Sequence, residues 1–296
     1  MRVAIAGASG FVGTALVNSL RANRHEVVRL TRQRADAADE IHWNPSTGEL
    51  AEEKLTGIDA VISLSGTNVA AGRWTAKRRT EIRSSRVAAT ETLVHAMARM
   101  KIPPAVFLSA SAVGYYGSRG EEMLTEYSPA GRGFLANVCV DWEKRANEAE
   151  LLGVRTVLLR FGVVLSERGG ALAKLRPIFR AGLGGRLGPG RQWMSWVGLS
   201  DAVRAIEFAM TNSSVVGALN VVAAPVRNHE FTARLAAALR RPAILPAPGW
   251  ALRMALGKMA DEMLLASVRA MPAKLEAAGF KFQDRDLAAY FGRTQL

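Results

Sequence analysis

Apolar and polar positions change their period many times along this chain, and each change marks an element. Residues 3–6 form a short apolar run that reads as a buried strand and breaks at Gly7. From Phe11 the spacing turns helical: Phe11, Val12, Ala15, Leu16 and Leu20 recur three or four apart, predicting a helix over 11–24. Residues 25–31 predict a second strand. Further strand-length apolar runs fall at 59–64, 104–109, 154–160 and 217–222. Helical patterns lie between and after them at 74–100, 137–146, 171–180 and 228–239, with an N-capped helix from Ser200. Strands alternating with helices predict an α/β fold, a doubly wound parallel sheet. A Pro-rich hinge at 246–250 follows. Beyond it Leu252, Leu256, Met259, Met263, Leu264 and Val268 keep helical spacing and are expected to pack on the main domain. The division expected is a main domain over 1–245, with insertions on its substrate side from about residue 160, and a small, mostly helical C-terminal domain over 246–296.

Composition narrows the class. The 296 residues are 49% hydrophobic and 22% charged, as in an ordinary globular protein. The one cysteine, Cys139, excludes a disulfide framework, and the four histidines are scattered, so no metal site is expected. The first strand is glycine-interrupted and reads as fold, not as a signal peptide. No apolar run is long enough to cross a bilayer, so a cytoplasmic protein without a membrane partner is expected. The net charge of +13 attracts polyanions in general, but the arginines are spread along the chain and no nucleic-acid module is present. Dedicated nucleic-acid binding is therefore not expected.

The candidate chemistry starts at the first turn. Gly7, Gly10 and Gly13 sit three apart between a strand-like and a helix-like run, with Ser9, Phe11 and Val12 among them. Such a turn lets the backbone approach a pyrophosphate, while the following helix offers its N–H groups and positive dipole end. Gly13 lets that helix lie close on the sheet. The alternative is a plain structural turn. At the end of the second strand, where an acidic residue would bind the ribose 2′-hydroxyl of NAD, the chain has Thr31-Arg32-Gln33-Arg34. Guanidinium groups there suit a 2′-phosphate, so the cofactor predicted is NADP(H), with Arg32 the main contact. Solvated loop charges are the alternative. The loop after the strand at 59–64 places Leu64, Ser65 and Gly66 beside the dinucleotide.

The glycine spacing resembles that of extended short-chain dehydrogenase/reductases. Gly72-Arg73-Trp74-Thr75, Ser85-Arg86, the run from Ser109 to Gly117, Trp142-Glu143, the run from Gly188 to Trp193 and residues 272–282 sharpen this to the atypical group called epimerase family proteins. The likeness spans essentially the whole chain, including a C-terminal domain of unknown function. It implies an NADP-binding Rossmann fold, places Arg86 near the cofactor or a substrate carboxylate, Ser109 near the nicotinamide, and Ser111 at the substrate. The usual Tyr-x-x-x-Lys dyad, in which a lysine lowers the pKa of a proton-donating phenol, is absent. Cys139 stands for the Tyr and Glu143 for the Lys, so Tyr115 or Tyr116 is expected to serve as the acid. Gly198 replaces a histidine common in the group. The expected substrate is small and anionic, matched to Arg73, Arg86, Arg186 and Arg191; a homodimer stays open, as does a cofactor-binding sensor without turnover.

Overall fold

In a computed structural model, which describes residues 1–294, seven strands form one parallel sheet. In chain order they are β1 (Arg2–Ala6), β2 (Glu26–Thr31), β3 (Glu40–His42), β4 (Ala60–Ser63), β5 (Val106–Ala112), β6 (Arg155–Phe161) and β7 (Gly217–Val221). Across the sheet they run β7-β6-β5-β4-β1-β2-β3. The chain builds outward from β1 to β3, then crosses back to start the other half at β4. That reversal opens a crevice at the C-terminal ends of β1 and β4, the place where such sheets bind ligands.

Helices cover both faces. Val3 and Ile5 point to one side, against Leu16 and Leu20 of α1 (Phe11–Ala22) and Ile206, far along the chain. Ala4 and Ala6 point to the other, which also holds Leu93 and Met97 of α2 (Ala76–Arg99) and Ala146 of α3 (Phe134–Asn147). The period of two is the strand's own pleat. Burial on both faces is why these strands read as unbroken apolar runs. Thr75 caps α2, its Oγ1 accepting from the Arg78 N–H at 3.1 Å.

Two expectations shift. The strand predicted to end at Ser109 continues to Ala112, because Ala110, Ser111 and Ala112 pair with Leu159, Arg160 and Phe161 of β6. Ladder pairing decides this, and the small residues carry no periodic sign of it. The helical pattern after the hinge does not stay one helix. After α4 (Gly170–Arg180), α5 (Leu199–Thr211) and α6 (Asn228–Leu239) comes α7 (Gly249–Leu256), which stops at Gly257, φ +61°. A π turn (Ala260–Leu264) and an extended Arg269–Ala270 follow, the latter paired with Met123–Leu124.

The tail packs on the main domain, as its Met-rich stripe suggested. Met259 lies with Trp74 and Ile82, Val268 with Tyr116 and Leu124, and Leu287 with Trp196 and Leu235. Leu275 and Phe280 belong to the core that holds Val3 and Ile5. Its apolar residues thus share clusters with earlier parts of the chain.

Candidate cofactor cleft and active site

The glycine turn is built too tightly for side chains. Gly7 has φ +83°, and a Cβ there meets the Leu64 carbonyl at 2.8 Å. A Cβ on Gly13 meets the Gly7 carbonyl oxygen at 2.1 Å. Gly10 N–H closes the turn onto that same oxygen at 3.0 Å. The start of α1 has neither a side-chain cap nor an acidic residue in its first turn, and Ser9 and Gly10 are exposed. This is a cradle of backbone N–H groups that fits the pyrophosphate of a dinucleotide. Phe11 turns its ring away, against Gly169 and Gly170, and Val12 packs towards the core, so each offers the cradle only its backbone. Gly13→Ala is expected to lower stability by about 1–3 kcal/mol through overpacking and to weaken dinucleotide binding. Thermal unfolding with and without nucleotide checks this; an unchanged profile contradicts it.

Leu64, Ser65 and Gly66 face the turn across the crevice, with Leu64 N–H donating to the Ala6 carbonyl at 2.8 Å. At the end of β2, Thr31 Oγ1 accepts from the Gln33 N–H at 3.2 Å. Arg32 is exposed and has no ion-pair or hydrogen-bond partner among the described residues. The nearby acids are engaged elsewhere. Asp39 binds Arg29 at 2.8 Å and also Arg21, and the hydrogen bond from Arg29 holds its carboxyl below the usual range. Arg34 pairs loosely with Asp36 at 3.5 Å, both fully in solvent.

Arg86 likewise has no carboxylate partner among the described residues. It donates to the Ile82 and Thr67 carbonyls at 2.9 and 3.1 Å and lies 5.3 Å from the Trp142 ring centre. A Cβ on Gly66 would sit 3.0 Å from its guanidinium carbon, which puts Arg86 at the crevice wall. Burial lowers its pKa, but a guanidinium stays charged at neutral pH.

Where the family dyad would stand, the chain has a buried charge network. Arg160, at the end of β6, grips Glu143 of α3 with two bonds of 2.8 Å, from Nε to Oε1 and from Nη2 to Oε2. Ser111 Oγ donates to the same Oε1 at 2.6 Å. Burial works against the Arg160 charge, but the bonds and charge of Glu143 outweigh it and raise the guanidinium pKa. The strand pattern at 154–160 ends on Arg160 but says nothing of this partner. The missed signal is helical: Cys139, Trp142, Glu143 and Ala146 share one buried stripe of α3, so Glu143 needed a cation.

The two tyrosines part company. Tyr116 is fully buried; its hydroxyl donates to Asn220 Oδ1 at 2.8 Å and accepts from Arg160 Nη1 at 2.9 Å. Burial raises its pKa. This corrects the expectation that Tyr116 is a candidate acid, because its hydroxyl is enclosed and already engaged. Tyr115 is half-buried, its ring centre 3.5 Å from the Arg160 guanidinium, and its hydroxyl has no protein partner among the described residues. Ser109 is fully buried inside β5 opposite Ser63, and its hydroxyl turns to the Ala110 carbonyl at 3.3 Å. Ser111 and Arg160, paired across β5 and β6, come nearer the strand ends. Arg186 lies on a separate surface, lining a depression of about 300 Å³ with His229 and Thr232.

Cys139, in the place of the family tyrosine, is a buried thiol whose pKa is pushed up to about 11, first by burial and then by the Glu143 charge. It is expected to resist Ellman's reagent in the folded protein at mildly alkaline pH and to react fully on unfolding; rapid reaction in the folded state contradicts this. Above the ordinary thiol range the unfolded chain loses this proton before the folded one does. Stability then falls with rising pH until about 11, by up to about 1.4 kcal/mol per unit.

A glycine cradle at the switch point of a parallel sheet, a free arginine beyond β2 and a Ser–Tyr segment ending β5 define a dinucleotide-binding protein of the short-chain dehydrogenase type. The chain belongs to the NAD dependent epimerase/dehydratase family, which residues 3–222 match, and residues 247–292 match a domain of unknown function, DUF1731. An epimerase family protein of Mycobacterium bovis is 46% identical, over 98% of this chain and 96% of that one. The epimerase family protein YfhF of Bacillus subtilis is 36% identical, over 100% and 98%. Among solved structures, the human epimerase family protein SDR39U1 (isoform 2) with NADPH superposes with a TM-score of 0.90 at 31% identity, covering 99% of this chain and 98% of that one. MoeE5 in complex with UDP-glucuronic acid and NAD shares the fold, with a TM-score of 0.78 at 21% identity over 99% and 97%.

Proposed function

We propose that this protein is an NADP(H)-dependent oxidoreductase of a small anionic carbonyl or alcohol, in the manner of an epimerase-like short-chain dehydrogenase. The observation that carries the reading is Arg32, an exposed guanidinium without a partner among the described residues, where NAD-preferring relatives of the fold place an acid. The human relative crystallised with NADPH supports the same choice. The start of α1 holds the pyrophosphate, and Arg32 the 2′-phosphate. Arg86 holds an anionic group of substrate or cofactor. A bound nicotinamide supplies or accepts a hydride. Tyr115 is the residue that exchanges the proton at the substrate oxygen, held by stacking on Arg160. The Arg160–Glu143 pair, with Ser111 attached, is a positioning element.

The test incubates the protein with NADPH and small carboxylate- or phosphate-bearing carbonyl compounds, nucleotide sugars included, and follows nicotinamide oxidation. With an active substrate in hand, Tyr115→Phe is expected to lower kcat by about 10²- to 10⁴-fold with NADPH binding intact. Full turnover in that variant removes Tyr115 from the role. A second reading, a cofactor-binding sensor without turnover, is favoured by one observation: the hydroxyl of Ser111 is already committed to Glu143. NADPH binding without consumption across the panel supports that reading.

A further inference from the structure

The arginines are spread along the chain, but most of its net positive charge comes from two stretches that lack acids. Residues 168–200 and 231–260 contain no Asp or Glu and hold six and five Lys or Arg, which leaves the rest of the chain at a net +2. Among the described residues only Arg168, Arg234 and Arg253 of these eleven have a carboxylate partner. The fold brings the stretches together. Arg241 Nε donates to the Arg180 carbonyl at 3.1 Å, and the Ala247 N–H to the Arg186 carbonyl at 2.9 Å. A Cβ on Gly185 would lie 1.7 Å from the Leu245 oxygen.

The same two stretches expose large apolar side chains. Ile178, Leu183, Ile244, Leu245, Trp250 and Met254 are between 47% and 77% exposed, and α7 buries none of its residues. Aliphatic protrusions and an exposed Trp, in stretches whose arginines mostly lack a carboxylate partner among the described residues, make a surface of two chemistries. We propose that this face binds the surface of an anionic lipid bilayer, the apolar side chains entering the headgroup boundary and the arginines meeting lipid phosphates.

Other occupants satisfy only half of it. A second copy docked face to face would set like charges against like. A nucleic-acid backbone matches the arginines but has no use for the aliphatic side chains. No helix among the described residues is long and apolar enough to cross a membrane, so attachment is to the surface, a demand the expectation of no membrane partner did not weigh. Lys174 of α4 donates to the Ala70 carbonyl at 3.2 Å, so the face adjoins the loop that follows Gly66 at the crevice.

The test is flotation of the full-length protein with phosphatidylcholine vesicles, with and without phosphatidylglycerol, at low and high salt. Expected is binding to the phosphatidylglycerol vesicles that weakens with salt. Arg240→Gln and Arg241→Gln are each expected to weaken it about fivefold, and Leu245→Ser with Trp250→Ser to weaken it further, with NADPH binding and melting temperature unchanged as the folding control. No binding to anionic vesicles overturns the proposal. So does equal binding to neutral vesicles, and so does binding that the Leu245 and Trp250 changes leave intact, which would mark a plain polyanion surface.

Discussion

Arg160→Met is expected to destabilise the protein by about 3–5 kcal/mol, among the largest effects of any single substitution on this chain. The change strands the Glu143 carboxylate in the core with only the Ser111 hydroxyl to bind it, and frees the Tyr116 hydroxyl from one of its two partners. Both side chains of the pair are less than a tenth exposed, so water does not take over. Glu143→Leu is expected to cost a similar amount by stranding the guanidinium. The double variant Arg160→Met/Glu143→Leu is expected to recover much of the loss, because no charge is left buried. Urea unfolding of the four proteins measures this. Additive single effects, with no recovery in the double variant, contradict the coupling.

Arg32→Ala is expected to weaken NADPH binding by about tenfold to a hundredfold, the worth of a charged hydrogen bond to phosphate, and to leave NADH binding within about twofold. The contrast follows from position. Arg32 is exposed and makes no bond to another described residue, so its removal is expected to cost the fold little and to act through the 2′-phosphate alone. Equal weakening of both nucleotides would defeat the assignment and move attention to the cradle itself. Because the interaction is between exposed charges, the NADPH advantage is also expected to shrink as salt is raised.

The geometry of the glycine turn was legible in the sequence, and the buried charge network was not. Gly7, Gly10 and Gly13 are local: a strand, a turn and a helix within about a dozen residues carry their own geometry. The place of Arg32 was readable because it follows β2 directly. The Arg160–Glu143 pair is not local in this sense. It joins the end of a strand to the middle of a helix, and only the sheet order, with β6 beside β5 and α3 packed over them, makes the contact. Tyr115 and Tyr116 are adjacent in a single tight turn, where no period tells which ring turns inward. Asn220, which settles the matter by binding Tyr116, lies 104 residues away. The length of β5 was misjudged for a related reason, since Ser and Ala show no strand pattern and pair only because Arg160 and its neighbours are there. The tail misled in one respect. Its helical spacing is real, but Gly257 ends α7 and an extended segment takes over to pair beside Leu124.

The most direct test of the central claim is a fluorescence titration of the full-length protein with NADPH and with NADH, after bound nucleotide has been removed. One NADPH per chain, bound at least tenfold more tightly than NADH, is the result expected from the glycine cradle and Arg32 together. Failure of either nucleotide to bind would mean that the cradle is a structural turn, and a preference for NADH would mean that Arg32 does not read the 2′-phosphate.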